Sequence, residues 1–139
     1  MNYKIIAKYI KDIDFKIPNS KTFFFLSKNI ANYKINIDIK SNQIKEDIVE
    51  VQISLSLKSN MTQDNIINTE IIYSAIIEIS EKNNSKEQIE KIILIDVPTE
   101  IYPELRKIFI FIFESSGFKE IKINERVDFQ KLLNLRKTQ

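Results

Sequence analysis

With 139 residues, 43% of them hydrophobic, the chain is long enough for one domain with a real core, residues 1–139. It has no Cys and no His, which excludes disulfides, thiolate or imidazole metal sites, a cysteine nucleophile and a Ser-His-Asp triad. A single glycine, Gly117, excludes glycine-rich phosphate loops, and a net charge of +2 with Lys and Glu interspersed argues against a nucleic-acid binder.

The first strand is read over Lys4 to Lys16, with Tyr9, Ile13 and Phe15 among polar positions, and Pro18-Asn19-Ser20 ends it. A long connection follows, holding the apolar run Phe23, Phe24, Phe25 and Leu26, which must dock on something: either a binding surface or the core beneath. Tyr33 to Lys40 alternates Ile35, Ile37 and Ile39 with polar residues. Ile48 to Lys58 does the same with Val49, Val51, Ile53, Leu55 and Leu57. This period of two marks strands with one face on a core and one in water. Asn60 to Asn65 reads as a polar turn, and Ile67 to Ile79 as a fourth strand.

Ser85 with Gln88 resembles a capping box, so a short helix is expected over Ser85 to Ile95, stopped by Pro98. Thr99 to Ser116 then reads as a long helix. Thr99 would be its N-cap, Glu100 would suit the dipole, Pro103 would fall in the first turn or so, and Gly117 would end it in the left-handed region. Ile101, Leu105, Ile108 and Ile112 form one stripe, and Tyr102, Phe109 and Phe113 a second about 100° further round. One sheet covers one stripe, so the other meets a second subunit, a ligand or the last helix, which Asp128 caps and which runs through Leu135. Strands followed by helices give an α+β fold: a four-stranded antiparallel sheet, a long helix and a C-terminal helix.

The same strings resemble the bacterial preprotein-export chaperone family SecB, over roughly Lys8 to Leu135. YIKDIDFKIPN (Tyr9 to Asn19) is similar to that family's Y-x-K-D-x-S-F-E-x-P-N. INIDIK and EDIVEVQISLSLK resemble its next two strands. VPTEIYPELRK (Val97 to Lys107) resembles its helix start, with Pro98, Pro103 and Arg106 kept, and RVDFQKLL (Arg126 to Leu133) resembles its P-x-x-F-x-x-L motif without the proline.

The resemblance implies a cytoplasmic, non-enzymatic homotetramer, a dimer of dimers with long helices packed between two sheets. Such a chaperone needs no cofactor or metal. It binds unfolded preproteins and delivers them to the SecA motor ATPase, without nucleic acid and without entering the membrane. It places a client groove between the connection and the long helix, here Phe23, Phe24, Phe25 and Leu26 facing Ile101, Tyr102, Leu105 and Phe109. It also places a SecA-facing acidic surface at Asp12 and Glu70 on the exposed sheet face, with Lys16 opposing it in the same strand. The sequence departs at Lys16 and Asn68, at Ser74-Ala75 in place of a glycine pair, and in lacking an acidic tail; these bear on motor coupling more than on fold. Two other readings stay open: a SecB-like chaperone devoted to one partner, such as an antitoxin, and a small α+β ligand-binding subunit. No signal peptide is read at the amino terminus, and no apolar run approaches the roughly 20 residues that cross a bilayer.

Overall fold

Strict alternation from Val49 to Lys58 makes the inner strand β3, and the rest of the sheet is laid against it and its neighbour β4. The structure is a computed structural model describing residues 2–30, 33–58, 69–80, 82–119 and 121–137. In chain order the elements are β1 (Lys4–Asp14), α1 (Ser20–Asn29), β2 (Lys34–Lys45), β3 (Ile48–Lys58), β4 (Thr69–Glu78), α2 (Lys86–Lys91), a π-helical segment (Ile92–Asp96), α3 (Val97–Ser115) and α4 (Phe129–Lys137). The expected turn at Asn60 to Asn65, with Ile67 and Asn68, lies outside the described residues.

The sheet order is β1-β4-β3-β2, with every pair antiparallel. β2 runs past the expected Lys40 to Lys45, because Asp47 takes a left-handed φ of 62° and closes a tight hairpin into β3. Register Val51↔Ala75, Ile53↔Tyr73 and Leu55↔Ile71 puts one wholly buried face of β3 and β4 toward the helices. β1 carries two irregularities, between Ile5 and Ala7 and between Ile10 and Asp12, and each resets its alternation. As a result Ile10 and Ile13 oppose Tyr73 and Ile71 on the helix side, while Tyr9, Asp12 and Asp14 oppose Ser74, Ile72 and Glu70 on the outer side.

α3 lays Val97, Ile101, Leu105, Phe109 and Phe113 on that buried face, one residue every four, all 0% exposed. The expected two stripes merge into this one. Ile108 and Ile112 lie half-buried at its flank, and Phe111 is 68% exposed. Glu104 ties the helix to the edge of the sheet, accepting from Lys8 Nζ at 2.6 Å and Tyr73 Oη at 2.5 Å.

Three local expectations are corrected. The run from Phe23 to Leu26 is helical, α1, because the Asn19 side chain accepts from the Thr22 N–H and caps it. Pro98 does not stop a helix: α2 is capped by the Ser85–Gln88 box as expected, but the chain continues through the π segment straight into α3. The wider turn accommodates a residue without an N–H, since the Val97 N–H reaches back to the Ile92 carbonyl. Thr99 is therefore inside the helix and not its N-cap, its hydroxyl donating to the Ile95 carbonyl at 2.6 Å.

The C-terminal end of α3 follows the expectation for Gly117. Its φ is +101°, its N–H donates to Glu114, and the Phe118 N–H reaches back to Phe113 at 3.0 Å. That turn drives Phe118 into an aromatic cluster with Phe113 and Phe23, which docks α1 on the end of the helix layer. A Cβ at position 117 would stand 3.0 Å from the Phe23 ring. Gly117→Ala is therefore expected to cost at least about 1–2 kcal/mol from the backbone conformation alone. Urea unfolding of the variant against the parent chain measures it.

Candidate functional site: a groove along β2 and an acidic outer sheet face

The eight residues expected to line one groove are not brought together at a surface. Leu26, Ile101, Leu105 and Phe109 are 0% exposed and Tyr102 is 2% exposed, so they form the core. Their apolar side chains are consumed by packing α3 and α1 onto the sheet. Phe23 is half-buried against Phe118, with ring centroids 4.9 Å apart. Phe25 is half-buried, and Phe24 alone stands out, 61% exposed with Lys28 Nζ 4.2 Å from its ring centre. Of the eight, Tyr102 lines one of the hollows described below.

Apolar hollows open instead along β2, the edge strand at the other end of the sheet order from β1. One hollow of about 250 Å³ is walled by Ile37 and Ile39, by Leu94 of the π segment, and by Phe129, Leu132, Leu133 and Leu135 of α4, with Asp38 and Arg136 at its rim. A second, of about 220 Å³, adjoins it through Ile37 and adds Tyr33, Ile35, Tyr102, Ile123 and Val127 with Lys122 and Asn124. α4 is held in place by Asp128, which accepts from the Lys131 N–H at 3.1 Å, and by Phe129, whose ring meets Tyr102 at 6.1 Å. The stretch between α3 and α4 is fixed by Tyr102 Oη donating to the Asn124 carbonyl at 2.6 Å and Arg106 Nε to the Ile123 carbonyl at 3.3 Å. The apolar spacing of α4 was legible in the sequence, but nothing local tells that it stands beside β2.

On the sheet's outer face, Glu70 lies directly opposite Asp14 and diagonal to Asp12, giving three carboxylates on adjacent strands. Asp14 was not among the expected residues, although two residues beyond Asp12 in an unbroken stretch of β1 it shares that residue's face. Lys16 lies beyond the end of β1 and is not part of that strand face.

Further along the same face a fourth carboxylate, Glu50, is only 5% exposed. It accepts from the Tyr9 hydroxyl, from Ser74 Oγ at 2.7 Å, from Lys11 Nζ at 3.0 and 3.2 Å, and from Gln52 Nε2 at 3.1 Å. Burial alone would raise this carboxyl. The four donors outweigh it and hold the group at about 2, against an ordinary 4.5. Burial and then Glu104 push Tyr73 up to about 12, while Lys8 and Tyr73 hold Glu104 down. No group of three or more potential metal-ligating residues occurs among the described residues, and no described helix is long and apolar enough to cross a membrane.

A family described as preprotein translocase subunit SecB matches residues 1–139. The chain belongs to the SecB family. A SecB homologue of Pelagibacter ubique (strain HTCC1062), named for protein export, is 39% identical over 135 residues, 97% of this chain and 96% of that one. Protein-export protein SecB of Burkholderia lata is 26% identical over 137 residues, 99% of this chain and 83% of its own. Among solved structures, the SecB-like chaperone of Mycobacterium tuberculosis, in complex with a ChAD peptide from the HigA1 antitoxin, superposes with a TM-score of 0.60 at 12% identity. The match covers 88% of this chain and 91% of that one, and shows the shared fold.

Set in the SecB fold, Ser74-Ala75 has a physical role. Ala75, 0% exposed, packs under the helices, and Ser74 supplies one of the four donors to Glu50. Because the folded-state carboxyl is depressed, its contribution is full above about pH 4.5 and is lost as pH falls toward about 2. The depression corresponds to about 3 kcal/mol. Glu50→Gln is expected to flatten that part of the acid limb in urea unfolding measured from pH 7 to pH 2.

Proposed function

We propose that this SecB-family chain is an ATP-independent holdase of the cytoplasm that keeps preproteins unfolded and hands them to the SecA motor for export. The observation that supports this best is the groove along β2. Unfolded chains offer apolar side chains and unpaired backbone together. The groove offers apolar hollows beside a strand whose second edge pairs with no other strand among the described residues. An extended client can follow that edge while alternate side chains drop into the hollows. Binding alone performs this task, with no reacting group.

The outer sheet face is proposed as the SecA contact. Asp12, Asp14 and Glu70 present negative charge to a basic partner, acting mainly through steering and register. Assembly into a homotetramer is proposed through the opposite edge strand and the helix layer. β1 is exposed along nearly its whole length, with Ile10 45% and Ile13 43% exposed on the helix side and Phe111 of α3 68% exposed. A second copy would cover these apolar groups.

The client groove is tested by Ile37→Asp combined with Leu132→Asp, both at half-buried positions. The pair is expected to reduce suppression of aggregation of an unfolded model protein by about tenfold or more, since a client would desolvate the new carboxylates. Circular dichroism should show the fold retained. Undiminished suppression would place the client elsewhere.

The motor contact is tested by Asp12→Lys with Asp14→Lys. Affinity for SecA is expected to fall about tenfold at low salt, and the difference should vanish at roughly 0.5 M salt, where screening is short-ranged. Unchanged affinity, with clients still bound, would remove SecA from this face.

A further inference from the structure

The irregularity in the middle of β1 places two opposite charges side by side. Ile10 pairs with Tyr73 on the helix side and Asp12 with Ile72 on the outer side, so Lys11 is the extra residue between them, with no register partner in β4. In an unbroken strand Lys11 and Asp12 would face opposite sides. Here the Lys11 side chain reaches Glu50, an outer-face carboxylate, and so shares that face with Asp12. A lysine therefore stands next in sequence to the three carboxylates of the outer face, Asp12, Asp14 and Glu70, where its charge would offset one of them.

Glu50 draws it away. Lys11 Nζ lies 3.0 and 3.2 Å from the two Glu50 oxygens. Glu50 is four residues along β3 from Ser54, the residue level with Asp12 across Ile72, a separation of roughly 13 Å along the strand. That exceeds the Debye length of about 10 Å at 0.1 M salt. The acceptor is itself fixed, by Tyr9, Ser74 and Gln52. The other lysines of β1 stand elsewhere: Lys8 is on the helix side with Glu104 at 2.6 Å, and Lys4 lies opposite Glu78 at the far end of the strand.

We propose that Glu50 is a positioning residue for the motor contact: by tethering Lys11 it leaves the charge of Asp12, Asp14 and Glu70 unopposed. This rests on the reading of the outer face given above. Glu50 is 5% exposed, too little to meet a partner surface directly, so its effect passes through the lysine.

The test measures affinity for SecA at low ionic strength for Glu50→Gln, Lys11→Gln and the two combined, with circular dichroism and suppression of client aggregation as controls. Glu50→Gln releases the lysine toward Asp12 and is expected to weaken binding about threefold, an effect that disappears at roughly 0.5 M salt. Lys11→Gln should bind at least as tightly as the parent, and adding it to Glu50→Gln should restore parental affinity. A merely structural role for Glu50 gives the opposite, a double variant no better than Glu50→Gln. That result overturns the inference, as does weaker binding by Lys11→Gln or parental affinity in Glu50→Gln, while the outer-face reading still stands if Asp12→Lys with Asp14→Lys weakens binding. Should that pair leave affinity unchanged, both readings fall. A measurement on the parent chain covers a Glu50→Gln variant that does not fold. Acetylation by limiting acetic anhydride, read by mass spectrometry, is expected to be several-fold slower at Lys11 than at exposed Lys16. Equal rates would show an untethered lysine and overturn the inference.

Discussion

The packing of one face of α3 against the inner faces of β3 and β4 governs the rest of the molecule. Val97, Ile101, Leu105, Phe109 and Phe113 recur at intervals of four and meet a sheet face that is apolar from Val51 to Leu57 and from Ile71 to Ile77. Once that face is set, the remaining elements have little choice of place. Phe118 must turn back over the end of the helix, α1 must seat Phe23 and Leu26 there, and α4 must find room beside the edge strand β2. The surfaces open to partners are what this arrangement leaves over: the two sheet edges, the outer sheet face and the far flank of α3.

The two faces of the sheet solve different problems. The inner face is mostly apolar bulk, with Tyr73 and Lys8 reaching Glu104 at its margin. The outer face meets water but holds a buried carboxylate, and it does so by surrounding Glu50 with donors from β1, β3 and β4. Tyr9 and Lys11 belong to β1, so the cluster links the edge strand to a strand it does not pair with. Replacing any one donor leaves a charge partly unpaired, whereas an apolar patch loses only area.

Much of the fold was legible because its signals are local and periodic. The alternation of β3 gave its limits, Ile48 and Lys58, and Gly117 gave the end of α3. The misreadings have physical reasons. The triple phenylalanine of α1 obscured a helix whose start was signalled only by Asn19, a residue equally at home in a turn. Tyr9 and Ile13 appear to share a face if alternation is counted straight through β1, and the irregularity near Lys11 separates them. The candidate site was less legible than the fold. Asp12 and Glu70 do lie on one sheet face, and Asp14, two residues beyond Asp12, joins them by plain alternation. The groove is made by residues far apart in sequence, Ile37 with Leu94 and Leu132, and no periodicity joins them.

The π segment from Ile92 to Asp96 has a consequence for how this chain tolerates length changes. A π turn holds more residues than an α turn, so it rotates everything before it relative to everything after it. The Ile89 face of α2 and the Ile101 face of α3 are thereby out of phase by more than an unbroken α-helix allows. Deleting one residue within 92–96 would let the run relax to an ordinary α-helix without breaking it. It would also swing α2 by about 100° about its own axis and carry Leu94 out of the wall it shares with α4. The helical frame could absorb such an indel, but the groove could not.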